Sequence, residues 1–533
     1  MSGSASWRTA PSRGFAWMRA RRGPVMVAGL VLFFGWMVLR QHHPVYGLTR
    51  FFQLDTEFAA RALPEIDRYP VYVHRDTGSY DGQFYAQLAL RPTLQDPQLA
   101  TAIDNPAFRA RRMLMPWVGW GLGLGEPGRI LAVYPWINVG VWLGLGALLL
   151  RLFPPRSGLA LLAWTGLMFS GGVMTGVRNA LTDLPALALI TLALLGCERQ
   201  RPWSGAAALA AATLCRETSV LAGSVFMREG TWRRRIALGL TVALPTLLWF
   251  LYVRSHLPTG SGNLRNFGWP FESWGTKWID TITLLLREPA SKFHWAGLGS
   301  LIGLSVHPIV IWIYRKERDR WWWLATGYAG LLVILGPPTF AGFPMAAARI
   351  LLPSHLAFNV LALRRGSWVL LLLGNLSLGT GWIAHTASPL RDHDELFANV
   401  AADGAYIGWT GPGWYQVEYD SGGQRWAWCS QEGVLQVRRY PTEAAREQTG
   451  RLQFALAGPD GNAVSIYQDD RLLWNGTTSR ASELIEVWNI AFDAGGRATL
   501  RFVGAGPPML EGDAATGRRL TFGIFYVEGG RPR

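Results

Sequence analysis

The residues best suited to chemistry lie in a polar stretch between the first two apolar runs. Tyr80-Asp81-Gly82-Gln83-Phe84-Tyr85-Ala86-Gln87-Leu88-Ala89 sets a carboxylate beside a glycine that lets backbone approach a ligand. Phe84, Tyr85 and Leu88 recur at helical spacing. Some twenty residues on, Asp104-Asn105-Pro106 initiates a turn, and Arg109, Arg111 and Arg112 follow where the chain becomes apolar again. Arg178, Asn179 and Asp183, then Arg216-Glu217, then Lys277 and Asp280, then Arg349 and His355, add charge at the ends of later apolar runs. A carboxylate can take a proton from a hydroxyl in a transition state. Guanidinium groups can hold a phosphate and neutralise charge growing on its oxygens. Asp81 is the first candidate for the acid, with Asp76, Asp55 and Glu57 behind it. Gln83, Tyr85, Arg109, Arg112, Arg178, Arg216, Glu217 and Arg349 are candidates for binding substrate or phosphate.

Each residue has a plainer use. Asp81 is also the type of residue that caps a helix beginning at Gly82 or Gln83, although the density of polar groups in the stretch favours chemistry. Asp55 and Asp76 fit solvated loops. Any one of Arg109, Arg111 and Arg112 fits an interfacial anchor, Arg216 and Glu217 fit a mutual pair, and His355 fits a satisfied buried histidine.

These residues must be positioned by apolar elements. The chain has 533 residues, half of them hydrophobic and only 16% charged. Between Val25 and Ala384 the apolar residues gather in runs of roughly 16–22, a length suited to crossing a bilayer. The net charge of +15 sits in clusters beside those runs, such as Arg233-Arg234-Arg235 and Arg364-Arg365. That placement follows the positive-inside bias and argues against nucleic acid as partner. Residues 1–23 read as a cytoplasmic leader and 24–384 as a transmembrane domain with an outer loop at 41–112. Trp203 to Arg228 has basic residues on both flanks, so a hairpin turning at Arg216-Glu217-Thr218 keeps both flanks on one side and spares two charges from mid-bilayer. The expected total is about eleven spans with the C-terminus outside.

The segments GSYDGQFYAQLALRP, DNPAFRARRMLMP and LCRETSVLA resemble bacterial integral-membrane glycosyltransferases of the GT-C superfamily. The resemblance implies a GT-C-like many-helix core in the inner membrane, an acidic residue in the first outer loop, and inverting transfer from a polyprenyl-phosphate sugar to a glycan or lipid-linked acceptor. It makes Asp81 the acid and puts Arg216-Glu217 at the lipid phosphate. The sequence departs from the superfamily pattern in lacking an adjacent acidic pair in that loop, Asp55-Thr56-Glu57 being the nearest approach.

After a linker at 385–403, residues 404–533 change pattern. Short runs alternate with period two between Gly, Asp and Asn turns, which predicts an all-β sandwich or jelly-roll domain outside the membrane. Trp414, Trp426, Trp428, Trp474 and Trp488 have the chemistry to stack on sugars, but a place in the sandwich core is the better reading for each. The domain is expected to guide an acceptor glycan or a partner. The histidines lack metal-ligand spacing with carboxylates, so no cofactor is expected beyond a weakly held divalent cation. Two rival functions fit the same residues. A transporter or flippase for lipid-linked glycans calls for polar groups at mid-membrane, and a non-enzymatic envelope scaffold tolerates loss of the Asp81 charge.

Overall fold

The computed structural model describes residues 13–75, 78–258, 266–343, 345–386, 394–401, 403–420, 424–442, 449–511 and 517–529. The chain divides into two units. One comprises Met1–Gln41, Phe51–Gln53 and Ser79–Ser388, and the other His42–Arg50, Leu54–Gly78 and Pro389–Arg533.

The first unit is helical, and its breaks are written locally. Ser157, Ser170, Thr231, Asp319 and Ser367 each accept a backbone N–H at the start of a helix. Among the described residues four helices are long and apolar enough to cross a membrane: Arg22–Leu39, Pro127–Leu152, Trp232–His256 and Lys292–Ile313. Gly158–Met168 and Gly171–Arg178, bent by 41° at their junction, form a fifth if taken as one span. The other spans of the expected eleven do not appear as single helices of that length among the described residues. Asp183–Glu198, Arg320–Ile334 and Leu352–Arg365 have 16, 15 and 14 residues. At 1.5 Å per residue they reach only about 21–24 Å, short of a hydrocarbon core of roughly 30 Å. Apolar runs that read as continuous are cut by caps and turns at their edges.

Pro202–Cys215 ends where Arg216 takes an extended conformation, with φ −155° and ψ 121°, and a 3-10 helix, Glu217–Arg228, follows. The chain turns at Arg216, inside the expected turn Arg216-Glu217-Thr218, and the two helices pack on each other. The apolar stretch after Arg112 forms a nine-residue helix, Leu114–Leu122.

The second unit is a sandwich of two antiparallel sheets. The six-stranded sheet runs in the order Arg471–Thr477, Ala463–Gln468, Arg497–Ala505, Glu432–Pro441, Gly404–Thr410, Glu395–Ala401. The five-stranded sheet runs Glu483–Ile490, Gly450–Ala457, Phe522–Gly529, Arg425–Cys429, Glu418–Tyr419. Alternate residues of both sheets, among them Leu435, Val437, Val464, Phe454, Leu456 and Val487, close the core between them. Trp414 and Trp474 pack against that core, whereas Trp488 is half exposed under the guanidinium of Arg451.

The boundaries shift from those drawn on the sequence. The first strand of the six-stranded sheet, Glu395–Ala401, lies inside the stretch read as linker, because Leu396 and Phe397 are apolar enough to be buried with the core. The stretch read as one outer loop, 41–112, is split between the units. Val45, Tyr46 and Tyr72 pack with Ile407, whose side chain leaves the sandwich on the face opposite its neighbour Tyr406. The segment closes on itself through a two-residue parallel ladder, Leu54–Asp55 with Val73–His74.

Candidate functional site

Short elements of the helical unit bring four arginines and three carboxylates together. Asp81 stands at the start of Gly82–Leu90, a helix whose nine residues are all buried. Arg109 ends the turn Pro106–Arg109, started by Asn105, whose side chain accepts the N–H of Phe108 at 3.2 Å, and Arg112 follows three residues on. Asp183 begins Asp183–Glu198, Arg216 and Glu217 sit at the reversal, and Arg349 lies on the five-residue helix Ala346–Ile350.

The ion pairs interlock. Arg109 and Arg349 reach the two oxygens of Asp81, at 2.9 Å and 3.2 Å. Arg349 also donates to Asp183 at 3.0 Å, and Arg216 donates to the other oxygen of Asp183. Arg112 makes a two-pronged pair with Glu217, both contacts 2.8 Å, and its remaining nitrogen donates to the Tyr85 hydroxyl at 2.9 Å. Arg109 turns its other face to Asp104 at 2.7 Å.

A cavity of about 480 Å³ opens on this network, lined by Asp81, Arg109, Arg111, Arg112, Arg216, Glu217 and Arg349 among others. Arg111 contacts rings, Phe250 at 5.1 Å and Phe108 at 5.8 Å, and has no carboxylate partner among the described residues. The buried Nε groups of Arg216 and Arg349 and the hydroxyl of Thr218 likewise lack protein partners there. Five guanidiniums therefore stand against four carboxylates, Asp81, Asp104, Asp183 and Glu217, and two of the guanidiniums keep an unpaired Nε among the described residues. Burial pushes the Asp81 carboxyl up, but Arg109 and then Arg349 more than offset this and hold it well below the usual carboxylate range.

The plainer reading of Asp81 as a helix cap does not describe it, since its side chain makes no capping hydrogen bond. Gly82 serves a closer purpose than approach to a ligand. A β-carbon there would stand 2.2 Å from the carbonyl oxygen of Asn179 and 3.1 Å from that of Phe51. Gly82→Ala is therefore expected to move the start of the helix and its Asp81, costing about 1–3 kcal/mol, read as a lowered melting temperature together with lost activity. A variant that melts and works like wild type would show that the contact relaxes freely.

The other sequence candidates are distributed as follows. Tyr85, Arg109, Arg112, Arg216, Glu217 and Arg349 join the network. Gln83 is buried on the same helix, and neither atom of its amide has a partner among the described residues. Arg178 donates to the carbonyl of Ala384, where it ties two helix ends together. Asp55 and Glu57 belong to the other unit. Asp55 caps the turn Thr56–Ala59 by accepting from Phe58 at 2.8 Å, and Glu57 pairs with Arg61 at 3.1 Å in an exposed contact. Asp76 lies outside the described residues. His355 is buried, bonded to Asn375 at 2.7 Å and stacked on His307. Asp183, which sequence reasoning noted only as one more charge at a helix end, is the carboxylate on which Arg216 and Arg349 converge. The available signal was an acid opening an otherwise apolar helix. Among the described residues no three His, Cys, Asp or Glu side chains gather to hold a metal.

No family model and no curated protein matches the chain. Among solved structures it is similar to arabinosyltransferase EmbB from Mycobacterium smegmatis, with 12% identity and a TM-score of 0.25, over 99% of this chain and 66% of that one. The chain thus spans just under two thirds of EmbB, and the likeness is too slight to carry a fold or an activity across.

Proposed function

We propose that the helical unit is a membrane glycosyltransferase. It moves a sugar from a polyprenyl-phosphate donor to a hydroxyl of a glycan or lipid-linked acceptor on the outer side of the inner membrane. The observation that supports this is the cavity in which Asp81 lies between Arg109 and Arg349, with surplus guanidinium charge around it. The acceptor oxygen forms a bond to the anomeric carbon as the bond from that carbon to the phosphate oxygen breaks. The acceptor proton passes to Asp81, and the departing lipid phosphate takes the electron pair, its charge met by arginines already in place. Attack from the face opposite the phosphate inverts the anomeric centre.

A carboxylate gripped by two guanidiniums is a poor base. The donor phosphate competes for Arg109 and Arg349, so binding of donor frees Asp81 for its task. The β-sandwich unit guides the acceptor and takes no part in the bond-making step.

The test is transfer of labelled sugar from a polyprenyl-phosphate donor by protein in lipid nanodiscs. Wild type should form a glycosidic bond to a lipid-linked acceptor. Arg216→Ala should lower kcat/KM at least tenfold, because Asp183 then draws Arg349 away from Asp81. Donor that crosses the bilayer without forming any bond would replace this reading with that of a lipid-glycan transporter.

A further inference from the structure

A cleft of about 710 Å³ lies wholly within the β-sandwich unit, between the outer face of the six-stranded sheet and the segment 54–78. That volume is within the range of small-ligand sites, roughly 300–1,000 Å³. Its floor is written in strand register. Trp409, Gln436 and Thr499 form one row across three strands, and Arg438 and Arg497 stand directly opposite each other in the next. Tyr440 continues the face one step beyond Arg438.

Two features identify what fits there. First, aromatic faces alternate with amide and hydroxyl groups, a surface that matches the apolar faces and hydroxyl rims of a pyranose better than a lipid or a flat hydrophobe. A guanidinium lies over one face of each ring, Arg438 at 4.9 Å from Tyr440 and Arg75 at 5.1 Å from Trp409, and both rings pack against the cluster of Val45, Tyr46, Tyr72 and Ile407. Second, the three arginines outnumber the carboxylates that pair with them directly among the described residues. Like charges directly across a ladder repel, and Arg438 and Arg497 share a single carboxylate, Asp67, at 2.6 Å and 2.9 Å. Among the described residues Arg75 has a single, loose carboxylate pair, at 3.9 Å with Asp394. Trp409 Nε1 and Arg438 Nε are buried N–H donors with no protein acceptor among the described residues, and such donors are seldom left unpaired.

We infer that this cleft binds an acidic oligosaccharide, a glycan whose carboxylates meet Arg438, Arg497 and Arg75 while its rings lie against Trp409 and Tyr440. The inference deepens the acceptor-guiding role proposed for this unit, yet its test is independent of any transfer chemistry. Asp55 and Glu57, candidates for catalysis in the sequence, then belong to the segment that walls a binding site.

The experiment is calorimetric titration of the full chain in nanodiscs with tetragalacturonate, maltotetraose and inorganic phosphate. Tetragalacturonate should bind at least tenfold more tightly than maltotetraose, and phosphate should not compete at equal concentration. Arg497→Gln should weaken tetragalacturonate binding about tenfold and Gln436→Ala several-fold, with melting temperatures unchanged, since Arg438 keeps Asp67 anchored. Equal affinity for the acidic and neutral tetramers, no binding to wild type, full competition by phosphate, or unaltered affinity in both variants would overturn the inference. None of these outcomes bears on sugar transfer in the other unit, which is assayed separately with a short acceptor.

Discussion

Asp81→Asn is expected to slow sugar transfer by about 10²–10⁴-fold, the usual loss when a positioned proton acceptor is removed, while the protein stays folded. The fold survives because the two guanidiniums that held Asp81 keep other partners. Arg109 retains Asp104 and Arg349 retains Asp183. Donor should still bind, since asparagine vacates those arginines without removing them, so the loss falls on kcat rather than on KM. Transfer kinetics beside a melting curve of the same preparation make the check. Transfer at the wild-type rate would mean that Asp81 only orients the arginines.

The pH dependence carries its own sign. The folded carboxyl of Asp81 is held below its ordinary range by Arg109 and Arg349, against the pull of burial. A group depressed in this way contributes stability that is fully present above its unfolded value, about 3.9, and is lost as pH falls through the lower folded value. Before donor binds, Asp81 therefore stays ionised from pH 5 to 8. Any acid limb of kcat/KM in that window belongs to another group, and Asp81→Asn should scale that profile down without moving its midpoint.

Asp183→Asn should instead unfold the site. The carboxylate is 1% exposed and is the meeting point of Arg216 and Arg349. Removing one partner from a buried ion pair leaves unpaired charge and typically costs about 3–5 kcal/mol. A clear fall in melting temperature and loss of donor binding are expected together, unlike the selective loss in Asp81→Asn. A variant with wild-type melting and donor affinity would show that Asp183 is dispensable as a support.

The difference between these two acids shows where local reading stops. Asp81 stood out because its neighbours were polar, aromatic and glycine-containing within a few residues. Asp183 did not, because its partners are 33 and 166 positions away, and nothing in either flank signals a buried pair. The same holds for the Arg349–Asp81 contact, which joins residues 268 apart. Charge at helix ends was legible, but which charges meet was not. Helix lengths were overestimated for a related reason. Hydropathy runs across capping residues such as Ser170 without a break, whereas the backbone ends a helix there and starts another.

By itself the sequence determined the two-part architecture, the reversal at Arg216, the alternating strands and the charge class of the helix ends. These depend on periodicity, capping chemistry and charge placement within a dozen residues or so. Only the tertiary structure decided that residues 42–50 and 54–78 belong with the β-sandwich, that Asp183 holds two arginines, and that Trp409, rather than the tryptophans packed in the core, faces a cleft. Those outcomes depend on ion pairs and on which sheet face is covered, and both are set by parts of the chain hundreds of residues apart.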